Sequence, residues 1–289
     1  MPDAPGNTDI VVGIPSFNVE DTIGNVLYQT AAGLAEHFPG KNALIVVSDG
    51  GSTDGTQEAC SRASLPGNLP LLFIQYPGPR GKGSAVRAIF EKAAERGARA
   101  VLLLDSDMRS ITPDWVGRML GPVYRGYDLV TPYYARHRFD GTITNSLVHP
   151  LVAALYGTSI RQPIGGDFAL SGNLIRLLLS LSWRPEAYLF GIDIFITLTA
   201  LSSGLRIAQA CLGVKAHRPK DPAKPISGMF MEVAGSLFAL CLRDQDLWLN
   251  GRKNHKAPIL GGPMPDVRPR LRGARPCQTR NLREEWLAV

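Results

Sequence analysis

The sequence has few cysteines, no long apolar run and no secretion signal, and each absence excludes a class of protein. Its four cysteines are widely scattered, so neither a disulfide framework nor a cysteine-based zinc site is expected. No apolar run approaches the roughly 18 residues of a membrane helix, and Glu232 interrupts the most apolar late stretch, 229–242. The N-terminus lacks the basic start and apolar block of a secretory signal. We therefore expect a soluble, cytoplasmic protein with reduced thiols.

The net charge of +6 is concentrated in one late segment. Residues 252–283 contain nine Lys or Arg and one acidic residue, whereas the rest of the chain sums to −2. A nucleic-acid-binding protein is expected to carry its basic residues over one face of the fold, so this distribution excludes that partner. We interpret residues 251–289 as a basic tail rich in Pro and Gly that is solvated and loosely ordered.

Apolar runs alternate with amphipathic helical patterns along the first half of the chain. Four of the runs are nearly continuous, as in strands buried on both faces of a sheet. The first run is followed by apolar residues at helical spacing from Ile23 to Phe38, and Asp21 or Thr22 is the expected cap of this helix. The third run is followed by a helical pattern over Ala85–Ala93, which is expected to end at Gly97. This alternation predicts an α/β fold with a mostly parallel sheet flanked by helices. The predicted strands are Ile10–Ile14, Ala43–Ser48, Leu71–Gln75, Ala100–Leu104 and Asp128–Thr131.

The second half of the chain is less regular. We divide the sequence into a first half, 8–135, a second half, 136–250, and the tail, 251–289, and expect the two halves to form one large domain. The elements predicted in the second half are helices at Asn145–Tyr156, Phe190–Leu201 and Phe230–Leu242 and short strands at Arg206–Ala210 and Val214–His217.

Polar clusters follow three of the predicted strands directly. Ligands of open α/β sheets bind outside the carboxyl ends of the strands. One polar strand end is weak evidence, because loops are generally polar, but three in register predict one shared site. The clusters are Pro15–Asn18 with Glu20, Ser48–Gly55, and Asp105–Asp107.

The pair Asp105 and Asp107 comes immediately after the apolar run Val101–Leu104. Carboxylates at the rim of a buried strand are well placed to hold Mg²⁺ or Mn²⁺ on a diphosphate, because such ions need one or two carboxylates besides phosphate oxygens and water. The ion would offset the charge that develops on a leaving diphosphate. The alternative is that Asp107 caps the next turn and Asp105 is solvated.

The sequence RGKG at 80–83 precedes the second helical pattern. Glycines allow a backbone to approach a phosphate, helix N-termini favour anions, and Lys82 adds a positive charge. The GxxxxGK[ST] spacing of a P-loop is missing, and no GxGxxG follows the first strand, so dinucleotide and P-loop sites are disfavoured. A solvated surface lysine is the alternative for Lys82.

Several motifs together resemble a known family. The stretches IPSFNVEDTI, VVSDGGSTDGT, PRGKGSAVR and LLLDSDM resemble GT-A glycosyltransferases of the family-two type. In the second half, DGTITNSLVHPL, RQPIGGDFALS, LFGIDIFITL and VKAHR resemble retaining enzymes that make glucosyl-3-phosphoglycerate or mannosylglycerate. The resemblance extends from about Ile10 to Leu242 and implies a GT-A fold, with a nucleotide-sugar-binding first half and a smaller acceptor-binding part after it.

The resemblance also implies roles for individual residues. A nucleotide-sugar donor would be bound by Pro15, Ser16, Glu20, Asp49, Lys82, Asp105, Gly165, Gly166 and Asp167, with Asp49 on the base, Asp105 on the ribose and Asp167 on sugar hydroxyls. A divalent metal, Mn²⁺ or Mg²⁺, would be held by Asp107 and His217, and an imidazole beside a carboxylate suits Mn²⁺ better than Mg²⁺ alone. The catalytic residues would be Asp193, Lys82 and Asp167.

The acceptor side departs from the family pattern. By the resemblance, Arg136, Arg138, Thr142 and Thr144 would hold a small acidic acceptor, since Arg suits carboxylates and phosphates. Thr142 stands where the phosphoglycerate enzymes have an arginine, which favours plain glycerate or a similar hydroxy acid. Surface positions for the two arginines, and helix capping for Asp193, are the alternatives.

We therefore predict a metal-dependent retaining glycosyltransferase, compatible with a homo-oligomer. The sequence offers no obvious covalent nucleophile, and retention follows from the resemblance alone. One alternative is an inverting family-two enzyme acting on a lipid phosphate or polysaccharide. Two others are a nucleotidyltransferase, which would need a basic glycine-rich loop after the first strand, and a non-catalytic nucleotide-sugar binder, which the presence of both predicted metal ligands disfavours.

Overall fold

The computed structural model describes residues 8–136, 140–217, 226–250 and 257–262. These residues contain a single eight-stranded sheet with helices on both faces. Its strands are β1 (Ile10–Ser16), β2 (Ala43–Asp49), β3 (Leu71–Gln75), β4 (Ala100–Leu103), β5 (Leu129–Ala135), β6 (Phe168–Ser171), β7 (Ile207–Val214) and β8 (Ile259–Leu260).

The strands are arranged in the order β3-β2-β1-β4-β6-β5-β7-β8. All neighbouring strands are parallel except β6, which runs antiparallel to both β4 and β5. Because β1 lies between β2 and β4, the loops that follow these three strands leave the sheet side by side. This order confirms the predicted α/β fold and brings the three polar clusters to one edge.

Nine α-helices lie within the described residues, in the two layers that cover the sheet. A π-helical turn at Thr144–Val148 leads directly into the fifth helix. The helices are α1 (Glu20–His37), α2 (Thr56–Ser61), α3 (Lys82–Glu95), α4 (Pro113–Tyr124), α5 (His149–Tyr156), α6 (Gly172–Ser180), α7 (Ile192–Ser202), α8 (Ser227–Arg243) and α9 (Gln245–Leu249).

The two faces of β1 pack into different cores, as the continuous apolar run predicts. Alternate residues from Ile10 to Ile14 pack with α1 and α4, whereas Val11 packs with α3. At Gly13 a Cβ atom would lie only 2.3 Å from Cγ2 of Ile89, so α3 lies closer to β1 than a side chain would allow. This close packing fixes α3, and with it the lysine at its first position.

The structure corrects several predicted boundaries in the second half. The antiparallel strand β6 was not predicted, because its four residues follow a glycine pair and are too short to show a period. The two predicted short strands are instead one strand, β7, and only an isolated bridge joins His217 to Met108 beyond it. Strand β8 lies in the segment predicted as a loosely ordered tail.

The cap predicted for the first helix is also wrong. Helix α1 begins at Glu20, before Asp21 and Thr22, and no side chain of its own caps it. The backbone N–H of Val19 donates to Thr56, the first residue of α2, and that of Glu20 donates to Asp54 in the loop before α2. Side chains distant in the chain therefore accept hydrogen bonds from the backbone at the start of α1. No helix within the described ranges is both long and apolar enough to cross a membrane.

The start of α3 provides a test of this packing. A Cβ atom on Gly83 would lie 1.9 Å from the carbonyl oxygen of Ala187, so Gly83→Ala is expected to lower the free energy of unfolding by about 1–3 kcal/mol. Gly24, inside α1, has no atom within 4 Å of the same position, and Gly24→Ala should stabilise the protein by up to about 1 kcal/mol. Urea denaturation of both variants measures the difference, and equal effects would contradict the packing.

Candidate active site

A cavity of about 720 Å³ lies at the carboxyl ends of the strands. The loops after β1, β2, β3 and β4 all contribute to it, as do α7 and the segment after β7. Three of the predicted residues, Glu20, Asp49 and Asp167, are absent from its wall, and Arg138 lies outside the described residues. The cavity brings together the other predicted site residues: Pro15, Ser16, Lys82, Asp105, Asp107, Arg136, Thr142, Thr144, Gly165, Gly166, Asp193 and His217.

Asp49 lies behind the cavity wall and organises the loop after β2. Its Oδ1 accepts hydrogen bonds from the hydroxyls of Ser16 (2.9 Å) and Ser52 (2.6 Å). Its Oδ2 accepts from the backbone N–H groups of Gly51 (2.8 Å) and Ser52 (2.7 Å). These donors match the roughly four acceptor positions of a carboxylate. Asp49 therefore orients Ser16 and this loop, and its direct contact with a base stays a prediction.

Glu20 also contacts the loop after β2. Its Oε2 accepts a hydrogen bond from the backbone N–H of Gly55 at 3.1 Å. A Cβ atom on Gly55 would lie 2.7 Å from the Glu20 carboxylate, so the glycine makes room for this contact. Glu20, predicted to bind the donor, therefore does not line the cavity itself but holds a loop that does.

Lys82, the first residue of α3, is paired with two carboxylates. Its Nζ donates to Oδ1 of Asp105 at 2.8 Å and lies 3.3 Å from Oδ1 of Asp193. Burial alone would lower the pKa of Lys82, but Asp105 and Asp193 outweigh this and raise it. Burial raises the pKa of Asp193, and Lys82 opposes the rise. Lys82 is therefore a charged, largely buried ammonium at the cavity wall and not a solvated surface lysine.

Lys215 binds Asp105 from the opposite side, and the sequence analysis assigned it no role. Its Nζ donates to Oδ2 of Asp105 (3.1 Å), Oδ2 of Asp167 (3.1 Å) and the carbonyl oxygen of Gly165 (2.9 Å). Burial would raise the pKa of Asp105, but the two lysines hold it well below its usual range. The only signal in the sequence is that Lys215 stands two residues before His217.

Asp167 supports this arrangement from below the cavity. Its Oδ1 accepts a hydrogen bond from the backbone N–H of Asp105 at 2.8 Å, and its Oδ2 accepts from the Tyr134 hydroxyl as well as from Lys215. The residue is 0% exposed. The predicted contact of Asp167 with sugar hydroxyls does not fit this position, because its oxygens are buried and already bind protein donors. Tyr134, like Lys215, is a residue that sequence analysis missed.

Asp107 and His217 lie at one rim of the cavity, where an isolated bridge pairs Met108 with His217. Asp140 joins them, since its Oδ2 lies 3.8 Å from Nε2 of His217. The interaction with His217 is the main cause that lowers the pKa of Asp140 to about 2, with Arg136 adding to it. The ligand atoms of Asp107, Asp140 and His217 do not all lie within 4.8 Å of one another in the described structure, but a carboxylate and an imidazole on one cavity wall suit Mn²⁺ or a related divalent ion.

A second group of metal-binding side chains lies away from the cavity. Ligand atoms of Glu36, His37 and Asp114, at the ends of α1 and α4, all lie within 4.8 Å of one another. Asp114 is also paired with Arg118 at 3.1 Å, and both carboxylate side chains are more than half exposed. Such exposed groups are commonly paired without a metal, and none of the three lines the cavity.

The glycines of the RGKG sequence serve packing. A Cβ atom on Gly81 would lie 2.4 Å from the carbonyl oxygen of Tyr188, and Gly83 packs still more tightly against Ala187. The backbone N–H of Gly83 donates to the carbonyl oxygen of Leu189 at 3.1 Å. These glycines therefore allow α3 to contact the segment before α7. Gly81 also lines the cavity, and the approach of its backbone to a phosphate stays a prediction.

Two ends of the cavity differ in character. Phe17, Tyr76 and Arg80 lie at the end next to Pro15, where the Arg80 guanidinium lies 6.0 Å from the centre of the Phe17 ring. None of the three was predicted as a site residue. At the other end Arg136 lies 3.5 Å from Asp140, beside Thr142 and Thr144. Its side chain is only 16% exposed, so it is part of the cavity wall.

Apolar side chains line the rim on the side of Asp193. Phe190, at the start of the segment leading into α7, is 44% exposed, and Ile226, just before α8, is 55% exposed. Both line the cavity together with Met229. This part of the cavity thus combines hydroxyl and guanidinium groups on one side with an apolar surface on the other.

The sheet order and the acidic pair after β4, beside a cavity at the carboxyl strand ends, define a GT-A type fold. A family model described as "Glycosyl transferase family 2" matches residues 11–167. The chain therefore belongs to glycosyl transferase family 2.

Solved and curated relatives support the same classification. A crystal structure of glucosyl-3-phosphoglycerate synthase from Mycobacterium tuberculosis, in complex with Mn²⁺, UDP and glucosyl-3-phosphoglycerate, is 27% identical with a TM-score of 0.64 and covers 81% of this chain and 80% of that chain. The glucosyl-3-phosphoglycerate synthase of Petrotoga mobilis is 22% identical over 239 residues, which are 78% of this chain and 70% of the relative. These similarities confirm the predicted resemblance to that group of enzymes.

Another curated relative is named for undecaprenyl phosphate. The undecaprenyl-phosphate 4-deoxy-4-formamido-L-arabinose transferase of Pectobacterium carotovorum is 25% identical over 168 residues, which are 58% of this chain and 48% of the relative. The chain thus spans about half the length of some of the curated relatives that it matches.

The support of the site by Tyr134 can be tested with a matched pair of variants. Tyr134→Phe removes a donor from the buried Asp167 carboxylate and should lower the free energy of unfolding by about 1–3 kcal/mol. The buried Tyr124 hydroxyl finds no hydrogen-bond partner among the described residues, so Tyr124→Phe should be neutral or stabilising. Chemical denaturation compares the two, and an unchanged stability of Tyr134→Phe would contradict the hydrogen bond.

Proposed function

We propose that this protein is a metal-dependent retaining glycosyltransferase that moves a hexose, mannose or glucose, from a nucleotide sugar to a small hydroxy-acid acceptor such as D-glycerate or 3-phosphoglycerate. One observation carries the proposal: a largely buried cluster of two lysines and three aspartates, with only Asp167 behind the wall, forms part of the same cavity as Asp107, His217 and Asp140. The bound UDP and Mn²⁺ of the structural relative, at 27% identity, support it.

The donor would occupy the cavity from Pro15 to Lys82. Phe17 and Arg80 provide an aromatic face and a guanidinium at the end beside Ser16, which fits a nucleoside. Lys82, at the first position of α3, faces the cavity with a permanent positive charge, which fits a diphosphate. Asp105 would accept hydrogen bonds from the ribose.

A divalent ion would accompany the donor diphosphate. The formal charges that line the cavity sum to zero, because four basic side chains balance four aspartates: Arg80, Lys82, Arg136 and Lys215 against Asp105, Asp107, Asp140 and Asp193. A bound diphosphate would add negative charge that this wall does not offset, so a cation is expected to bind with it. Asp107 and His217 would hold this ion, with Asp140 as a further ligand, and the bound ion would offset the charge on the leaving diphosphate.

The acceptor would bind between Arg136 and Asp193. The Arg136 guanidinium and the hydroxyls of Thr142 and Thr144 offer donors for a carboxylate. Asp193 lies beside Lys82, where a carboxylate can stabilise positive charge on the anomeric carbon as the glycosidic bond breaks. The acceptor hydroxyl would attack from the face of the leaving group, and the leaving phosphate oxygen would take its proton. Asp49 and Asp167 would act as positioning residues.

A transfer assay tests this function. Purified protein receives GDP-mannose, UDP-glucose or GDP-glucose with Mn²⁺ or Mg²⁺, and D-glycerate or 3-phosphoglycerate as acceptor. Transfer with retention of the anomeric configuration is expected, and Asp107→Ala should reduce it at least roughly 100-fold because a metal ligand is lost. Asp114→Ala, in the exposed group away from the cavity, serves as the control and should keep full activity.

Three results would contradict this account. If Asp114→Ala lost activity while Asp107→Ala kept it, the metal site would lie at Asp114 and not in the cavity. A product with inverted anomeric configuration would exclude the retaining mechanism. Absence of nucleotide binding in the presence of either metal would exclude glycosyl transfer altogether. A cytoplasmic location and assembly into a homo-oligomer remain predictions.

The apolar rim favours a second candidate acceptor, a lipid phosphate. Phe190, Ile226 and Met229 would lie against a hydrocarbon chain more readily than against glycerate, and one family relative is named for transfer involving undecaprenyl phosphate. In this case the phosphate would take the place of the carboxylate beside Arg136, and the enzyme would be of the inverting type.

The two acceptors can be distinguished by changing the rim. If a polyprenyl phosphate is the acceptor, the double variant Phe190→Ser with Ile226→Ser should lose most of the transfer to it, as apolar contact is removed. Met231→Ser serves as the control, because Met231 is 68% exposed on α8 and does not line the cavity. Transfer to D-glycerate and none to polyprenyl phosphate, measured with radiolabelled donor, would exclude the lipid acceptor.

A further inference from the structure

We infer that Lys215 is a positioning residue that keeps Lys82 available to the diphosphate of the donor, by holding the Asp105 carboxylate from the opposite side. The inference rests on the proposed function, because it concerns how that function's donor is bound. In this role Lys215 is needed for donor binding although it does not contact the donor itself.

The contacts of Lys215 leave nothing for a ligand. An ammonium group has three hydrogens, and Nζ of Lys215 has three acceptors: the carboxylates of Asp105 and Asp167 at 3.1 Å each and the Gly165 carbonyl oxygen at 2.9 Å. Its side chain is 3% exposed, and Nζ lies 5.0 Å from the centre of the Tyr134 ring. Lys215 lines the cavity, but its side chain is nearly buried and its three hydrogens are already bonded, so it is a fixed cation within the wall.

Lys82 differs from Lys215 in both respects. Its side chain is 16% exposed at the cavity wall, and its two carboxylate partners account for two of its three hydrogens. Of the two lysines, Lys82 is the one that can reach an anion in the cavity. A diphosphate that binds Lys82 must compete with Asp105 and Asp193 for the same ammonium.

Lys215 determines how strongly Asp105 competes with a diphosphate for the Lys82 ammonium. The two oxygens of Asp105 are divided between the lysines, Oδ1 to Lys82 and Oδ2 to Lys215. With Lys215 present, the negative charge of Asp105 is shared, and its attraction for Lys82 is weakened. Without Lys215, Lys82 would be the one close cation of Asp105 in the described structure and would be held more tightly.

The surrounding backbone prevents Asp105 from following Lys82 into the cavity. A Cβ atom on Gly166 would lie 2.0 Å from Oδ2 of Asp105, so this oxygen lies directly against the Gly166 backbone. The backbone N–H of Asp105 donates to Asp167, which Lys215 also binds. Lys215 thus fixes the side chain of Asp105 and the group that anchors its backbone as one unit.

The test compares two probes that differ only in the diphosphate. Calorimetry with Mn²⁺ measures the affinity of wild type, Lys215→Met and Lys82→Met for UDP and uridine, and for GDP and guanosine. Lys215→Met should weaken binding of the nucleoside diphosphate at least tenfold and leave binding of the nucleoside unchanged, the same pattern as Lys82→Met. The double variant should lose no more affinity than Lys82→Met alone, because both substitutions remove one contact.

A second comparison separates binding from folding. Lys215→Met leaves Asp167 buried without its cation and should destabilise the protein. Adding Asp167→Asn removes that charge, so the pair Lys215→Met with Asp167→Asn should recover stability in urea without recovering diphosphate affinity. Recovery of both would show that Lys215 acts through folding alone and would overturn the inference.

The outcomes also separate this inference from the proposed function. If wild type binds neither UDP nor GDP, the proposed function fails and the inference fails with it. If wild type binds one of them and Lys215→Met binds it equally well, or if the losses in the double variant are additive, only the inference is overturned.

Discussion

The structure of this site depends on one shared carboxylate. Asp105, directly after the buried strand β4, is held between Lys82 and Lys215, at 2.8 and 3.1 Å. Both lysines are largely buried, and isolated charges would be costly there. Each lysine can be buried only because neighbouring carboxylates compensate its charge. The ion pairs and the packing around them therefore form together. The arrangement ties the start of α3 and the end of β7 to the centre of the sheet.

The fold supplies the close approaches that this cluster needs. Strands β1, β2 and β4 are neighbours, so the loops after them meet at one edge. Glycine is required where backbone must touch a charged group or a neighbouring helix: Gly166 lies against Asp105, and Gly13 lies against Ile89 of α3. A family-2 glycosyltransferase fold can thus bring a polar, ionised cluster to the end of an apolar sheet without leaving its charges unpaired.

The sequence predicted the parts of the site that depend on neighbours in the chain. Asp105 and Asp107 were recognisable because an apolar run precedes them, and the first four strands because their runs are continuous. Lys215 was not recognisable, since its carboxylate partners are 110 and 48 residues away in the chain. The cap of α1 by Asp54 and Thr56 and the antiparallel strand β6 were missed for the same reason, because tertiary contacts define them. The buried position of Asp167 likewise follows from folding and not from its local sequence.

The central claim is that Lys82 exchanges a carboxylate for the donor diphosphate while Lys215 stays in place. A crystal structure with Mn²⁺ and a bound nucleoside diphosphate measures this directly through the distances from the two Nζ atoms. The account predicts that Nζ of Lys82 moves away from Asp105 and lies within hydrogen-bond distance of a phosphate oxygen, with the three contacts of Lys215 unchanged. A complex in which Lys82 binds no phosphate oxygen, or in which Lys215 itself binds the phosphate, would contradict it.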